Sequence, residues 1–175
     1  MYLANSSAPK VLSFGCATGD EVFSFAEYLP GAVIIGVDIN AWCIRQCKER
    51  SQKGSYSFCE RYSREFEGAG GFDAIFCMAV FQRSENRASP RSEMSIGFKF
   101  QQFEREIGIL DAKLEPGGLL IIDHADFSFE DTVHSRHYRA LEFEGNSVQY
   151  NRPLFDRNNR RVSDTQCLNR IFVKQ

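Results

Sequence analysis

The stretch from Val11 to Asn40, VLSFGCATGDEVFSFAEYLPGAVIIGVDIN, constrains this chain more than any other. Val11, Leu12 and Phe14 make an apolar run that leads into Gly15-Cys16-Ala17-Thr18-Gly19. Asp20 and Glu21 then stand where the free N–H groups of a new helix favour carboxylates. Val22, Phe23, Phe25, Ala26 and Leu29 give that helix an apolar side, and Pro30-Gly31 stops it. Val33 to Val37 is a continuous apolar run, the pattern of a strand buried on both faces of a parallel sheet. The order predicted is strand, glycine turn, helix and strand, with Asp38 at the end of the second strand.

That geometry limits the chemistry. Glycines at a strand-to-helix turn let a ligand approach the backbone, and the helix N–H groups point at it. Asp38, followed by Ile39, sits on the same crevice, where a carboxylate can accept hydrogen bonds from both hydroxyls of a ribose. A dinucleotide site prefers G-x-G-x-x-G, but this loop offers only Gly15 and Gly19 and sets two acids after them. Paired carboxylates repel a pyrophosphate and attract the ammonium of a methionine moiety. No G-K-[ST] follows, so a phosphate-cradling loop is poorly served. The loop favours S-adenosylmethionine over NAD, and a plain tight turn without a ligand is the structural alternative.

The run Gly15-Cys16-Ala17-Thr18-Gly19-Asp20-Glu21-Val22-Phe23-Ser24-Phe25-Ala26 resembles motif I of class I S-adenosylmethionine-dependent methyltransferases. It is most similar to the G-C-S-T-G-E-E variant of the chemotaxis receptor methyltransferases. Phe72-Asp73-Ala74-Ile75-Phe76-Cys77 is similar to that group's F-D-x-I-x-C motif, and Leu114-Glu115-Pro116-Gly117-Gly118-Leu119 to its L-x-P-G-G-x turn. His124 falls where those enzymes carry G-H-S-E. The motifs stand in family order and at family spacing over residues 11–125.

The resemblance implies an α/β fold: a Rossmann-like, seven-stranded, doubly wound sheet with a C-terminal antiparallel hairpin. Residues 1–10 would be a short extension and 11–175 one domain, without the N-terminal helical domain of the chemotaxis enzymes. It further implies a cofactor site of Gly15, Cys16, Ala17, Gly19, Glu21, Asp38, Ile39, Glu60, Cys77 and Met78, with Asp20 or Glu21 on the ammonium. Ser13 occupies the place of the family's usual first acid.

Along the rest of the chain, Ala41 to Lys53 reads as a helix ended by Gly54, and Tyr56 to Cys59 as a strand. Glu60 follows as either an adenine-edge contact or a solvated acid. Arg61 to Gly71 should be loop with at most one helical turn. Phe72 to Cys77 is the fourth strand, and Met78 to Phe81 an apolar wall. Gln82 to Lys99, with Arg83, Arg87 and Arg91 at four-residue spacing, is either a recognition loop or a solvated connection. Phe100, Phe103, Ile107, Leu110 and Leu114 mark an amphipathic helix, and Leu119 to Ile122 the fifth strand. Tyr138 to Glu144 and Asn169 to Val173 are strands six and seven, and Tyr150 to Val162 an irregular loop between them. The chain has few residues to spare for insertions or a cover.

Asp123, His124 and Asp126 follow the fifth strand at the edge where open α/β sheets bind ligands. His124 is a candidate general base, because flanking acids can hold its tautomer; a pocket-shaping loop histidine is the alternative. A histidine base tilts the acceptor toward a hydroxyl or carboxyl oxygen. His134 and His137 lack a third ligand, so no metal is expected.

At 43% hydrophobic and 25% charged residues, composition is that of a globular chain large enough for one core. A net charge of −2 gives no reason to expect nucleic acid, and no apolar run approaches a membrane span. Six cysteines without a C-x-x-C pair suit a reducing cytoplasm. The sequence therefore points to methyl transfer from S-adenosylmethionine to an unidentified small-molecule or protein acceptor. A non-catalytic S-adenosylmethionine-binding module and a nucleotide-binding oxidoreductase are the alternatives.

Overall fold

The computed structural model describes residues 8–51, 54–84 and 98–175. Its first crossover follows the sequence pattern: β1 (Lys10–Phe14), α1 (Asp20–Tyr28) and β2 (Val33–Asp38). Asn40 caps α2 (Ala41–Arg50) by accepting from the Trp42 amide at 3.0 Å. That helix ends at Ser51, ahead of Gly54; Gln52 and Lys53 lie outside the described residues. β3 (Tyr56–Glu60), the single-turn α3 (Arg64–Gly68) and β4 (Phe72–Met78) come next. Arg87 and Arg91 also lie outside the described residues, so their expected spacing with Arg83 has no structural counterpart here. The predicted amphipathic helix is α4 (Phe100–Lys113), and β5 spans Leu114–Asp123. β5 starts earlier than the sequence pattern indicates because Leu114 already pairs with Phe72, and a register shift then absorbs Glu115 to Gly118.

The central sheet is seven-stranded and Rossmann-like, in the order β3-β2-β1-β4-β5-β11-β6. Its first five strands are parallel; β11 (Ile171–Lys174) runs antiparallel between β5 and β6 (Tyr138–Ala140). Alternation along β1 divides the core: Val11 joins Val22, Ile44 and Phe58 under α1 and α2, and Leu12 joins Phe66, Phe103 and Ile107 under α3 and α4. On the α1 side the Phe58 ring lies across its register partner Gly36, where a Cβ would stand 2.6 Å from the ring. The same ring comes within 3.1 Å of a Cβ built at Gly19, so one aromatic supports both β2 and the glycine loop.

The C-terminal third departs from the sequence reading. Strand six stops at Ala140 and the last strand begins at Ile171. Between them β7 (Ser147–Tyr150) pairs with β10 (Gln166–Asn169), and a smaller ribbon, β8 (Leu154–Phe155) with β9 (Arg161–Ser163), is nested inside. The expected irregular loop over Tyr150 to Val162 is thus a folded insertion, and the expectation of little cover does not hold. The ribbon folds back on the β5 end: Phe155 bridges to Phe127, and the Asn159 side chain accepts from the Phe100 amide at 2.7 Å. Lys99 has no side-chain acceptor to offer, so the ribbon supplies one for the Phe100 amide, while the Gln102 side chain accepts from the Lys99 amide at 3.0 Å. Among the described residues no helix is long and apolar enough to cross a membrane.

Candidate functional site

The loop after β1 is held from several sides. Gly15 and Cys16 both donate their amides to the Val37 carbonyl, at 2.7 and 2.9 Å. The Ala17 amide donates to Asp38 Oδ2 at 2.8 Å, while Asp38 Oδ1 accepts from the Asn40 amide at 2.8 Å. From α2, Cys47 donates to the Ala17 carbonyl and Arg50 to the Thr18 carbonyl at 2.7 Å. Gly15 and Gly19 adopt left-handed φ angles of 77° and 89°, and Gly19 opens α1.

The two adjacent acids have different fates. Asp20 faces solvent and pairs with Arg50 at 2.7 Å, so it is turned away from the crevice. Glu21 points inward and accepts from the hydroxyl of the buried Ser13 at 2.6 Å. Burial pushes the Glu21 carboxyl above the usual carboxylate range, and the Ser13 bond only partly opposes it. A half-buried acid at the end of β1 whose charge is incompletely compensated is a fitting partner for a ligand cation.

Beside this loop lies a cavity of about 490 Å³, within the range of small-molecule sites. Gly15, Asp38 and Ile39 line it, and Ile39 and Tyr62 are exposed apolar faces at its mouth. Cys16, Ala17, Gly19 and Glu21 belong to the loop and helix start behind that lining. Glu60 is exposed at the β3 end; the adjacent Arg61 lines the cavity instead. Arg61 is buried, donates through Nε and Nη2 to Glu106 at 2.9 and 2.8 Å, and lies against Phe14 and Phe66. Cys77 is wholly buried with its thiol pushed far up by burial, and Met78 is partly exposed beside it. Val80, Phe81 and Arg83 form the β4 side of the cavity; Val80 packs directly on Gly15, where a Cβ would approach to 2.4 Å.

His124 follows β5 in a left-handed conformation, φ 54°; it does not line that cavity but a separate small pocket with Asp123, Tyr150 and Arg170, and the Ala79 amide on the cavity wall bonds to the Asp123 carbonyl at 2.9 Å. Its Nδ1 is 2.9 Å from Asp123 Oδ1, its ring packs on Tyr150 at 4.5 Å, and it is about half exposed. The Tyr150 hydroxyl also donates to Asp123, and Arg170 reaches Asp123 Oδ2 at 3.4 Å. Burial pushes the Asp123 carboxyl up, but the Tyr150 bond, the neighbouring His124 and the Arg170 charge outweigh it and hold it low. Three residues on, Asp126 is enclosed: it pairs with buried Arg152 at 3.2 Å and accepts from the Arg83 amide at 2.9 Å. Sequence reasoning missed Arg61, Tyr150, Arg152 and Arg170. The excess of eight Lys/Arg over five acids from Asp131 onward is the only signal for Arg152 and Arg170. No cluster of metal-ligating side chains occurs among the described residues.

The chain is similar to trans-aconitate 2-methyltransferase of Rhodopseudomonas palustris, 28% identical over 117 residues that cover 67% of this chain and 39% of that protein. An uncharacterized protein of Synechococcus is 27% identical over 119 residues, 65% of this chain and 25% of its own length. The chain thus spans well under half of the curated relatives it matches. Among solved structures, PKMT2 from Rickettsia typhi in complex with AdoHcy superposes with a TM-score of 0.50 at 23% identity, over 66% of this chain and 20% of that one, a likeness of fold. A model of the methyltransferase domain matches residues 5–159, and the chain belongs to that family.

Proposed function

We propose that this chain transfers a methyl group from S-adenosylmethionine to an oxygen of its acceptor. The observation that carries the reading is a pair of carboxylates around the glycine loop: Asp38 lines the cavity, and Glu21 stands behind that lining at the start of α1. Glu21, half-buried over Ser13, suits the ammonium, and Asp38, already holding the glycine loop, retains acceptor capacity for a ribose. Ile39 and Tyr62 offer apolar surface to a flat base, with Arg61 at its edge. When bound, the donor supplies a methyl group already activated by its sulfonium, so this chain's work is mainly alignment.

The chain's own residues then handle the acceptor. Asp123 Oδ1, 2.9 Å from His124 Nδ1, suits the tautomer protonated at Nδ1, which leaves the lone pair on Nε2. A hydroxyl acceptor would pass its proton to Nε2, whereas a carboxylate acceptor would need no such base. Arg83 and Arg105 on the cavity wall suit an anionic acceptor. The name of the Rhodopseudomonas relative, which acts on trans-aconitate, supports carboxylates as the first compounds to try. Six cysteines, all free, fit a reducing cytoplasm.

The test is calorimetry with S-adenosylhomocysteine and with NADH, followed by turnover on carboxylate and hydroxyl compounds headed by trans-aconitate. S-adenosylhomocysteine should bind and NADH should not, and Asp38→Ala should weaken binding by about 1–3 kcal/mol. Tight NADH binding without S-adenosylhomocysteine binding overturns the reading; binding without turnover across the panel leaves a cofactor-binding module.

A further inference from the structure

The inserted ribbon does more than close the sheet edge. We propose that Tyr150 and Arg170 are positioning residues for His124, acting through the Asp123 carboxylate; this rests on His124 being the base of the reading above. Asp123 has two oxygens and three side-chain partners. Oδ1 takes both the Tyr150 hydroxyl and His124 Nδ1, while the Arg170 guanidinium sits at Oδ2. With a cation fixed on one oxygen and a hydroxyl on the other, the carboxylate cannot rotate without losing a charge-assisted bond. Its remaining direction is toward Nδ1, which selects the tautomer that keeps Nε2 free.

The ring contact adds a second restraint. Tyr150 covers one face of the imidazole at 4.5 Å, and the left-handed backbone at His124 turns the side chain toward the ribbon. A non-glycine residue held at φ 54° is sparsely populated and persists where surrounding contacts enforce it. Those contacts come from β7 and from the approach to β11, so the ribbon and the β5 end form one unit. The charged and titratable groups that face this unit are Asp123 from β5, Tyr150 from β7 and Arg170. Asp126 is kept apart by its own pairing with Arg152. Arg170 is itself anchored, donating to the Gly145 carbonyl at 2.6 Å.

The chain has three histidines, so nitrogen-15 spectra of the imidazoles are readily assigned with a His124→Gln variant. In the parent protein His124 should show a single neutral tautomer, protonated at Nδ1. Tyr150→Phe keeps the ring contact and removes the hydroxyl, and Arg170→Gln removes the charge. Each should cost the single-tautomer signature, with the Nε2-protonated form appearing beside it. Asp123→Asn should invert the tautomer, because an amide can donate to Nδ1. S-adenosylhomocysteine affinity should stay unchanged in all three, which separates this proposal from the cofactor reading. An unaltered Nδ1-protonated signature in both Tyr150→Phe and Arg170→Gln overturns the proposal, as does an Nε2-protonated His124 in the parent. Failure of the parent to bind S-adenosylhomocysteine sinks the methyl-transfer reading and leaves the tautomer result standing.

Discussion

The glycine loop after β1 and the end of β5 lie on the same edge of the sheet, yet they are secured differently. Every bond found on the glycine loop comes from within 32 residues along the chain, from Val37, Asp38, Cys47 and Arg50. Asp123 and Asp126, by contrast, are held by Tyr150, Arg152 and Arg170, and the first amide of α4 by Asn159, 59 residues away. The glycine loop is a local construction, completed by β2 and α2. The β5 end is assembled from distant pieces, and its order depends on the whole domain being folded.

Breaking the enclosed pair at the β5 end should have the largest effect. Asp126→Ala removes a carboxylate from the buried Arg152 charge and should destabilise the protein by about 3–5 kcal/mol in urea unfolding. Replacing both partners with apolar residues should restore much of that loss. A smaller but two-signed effect is expected at Glu21. Its carboxyl is raised in the fold, so the stability it contributes is complete below the ordinary Glu value of about 4.3 and lost as pH rises through the folded value. Glu21→Gln should therefore be more stable than the parent at pH 7, with the gap closing toward pH 3. The same change should weaken S-adenosylhomocysteine binding by about 1.5–3 kcal/mol, the range for a bond to a charged group, while Asp20→Asn leaves it unaltered. Asn159→Ala, the mildest, removes the cap of α4 and should cost about 1 kcal/mol. Hydrogen exchange at the Phe100 amide should report it, with no change around Glu21.

Legibility in the sequence follows the same division. The crossover from Val11 to Asp38 could be read because its determinants are periodicity, glycine and acid within one short window. Glu21 was named among the cofactor residues, but which of the two acids turns inward depends on Arg50 drawing Asp20 outward from a neighbouring helix. Glu60 against Arg61 is a matter of one residue at a strand end, where the pleat decides the facing and a one-residue step reverses it. The ribbon was not legible at all. Its strands are two to four residues long, too short for alternation to register, and its anchors Tyr150, Arg152 and Asn159 have partners that no local pattern names. The family match spans the whole glycine-loop side but stops at residue 159, short of Arg170, β10 and β11.

The Phe58 ring that crosses Gly36 and reaches under Gly19 has a consequence for how relatives of this chain can diverge. A methyl group introduced at position 36 has no room until the ring shrinks, whereas a smaller residue at 58 first leaves a void and a slack glycine loop. The two sites must change in a set order, smaller at 58 before larger at 36, and each intermediate is weaker than either end. Among homologues the pair should therefore covary, with glycine accompanied by an aromatic and alanine by an aliphatic.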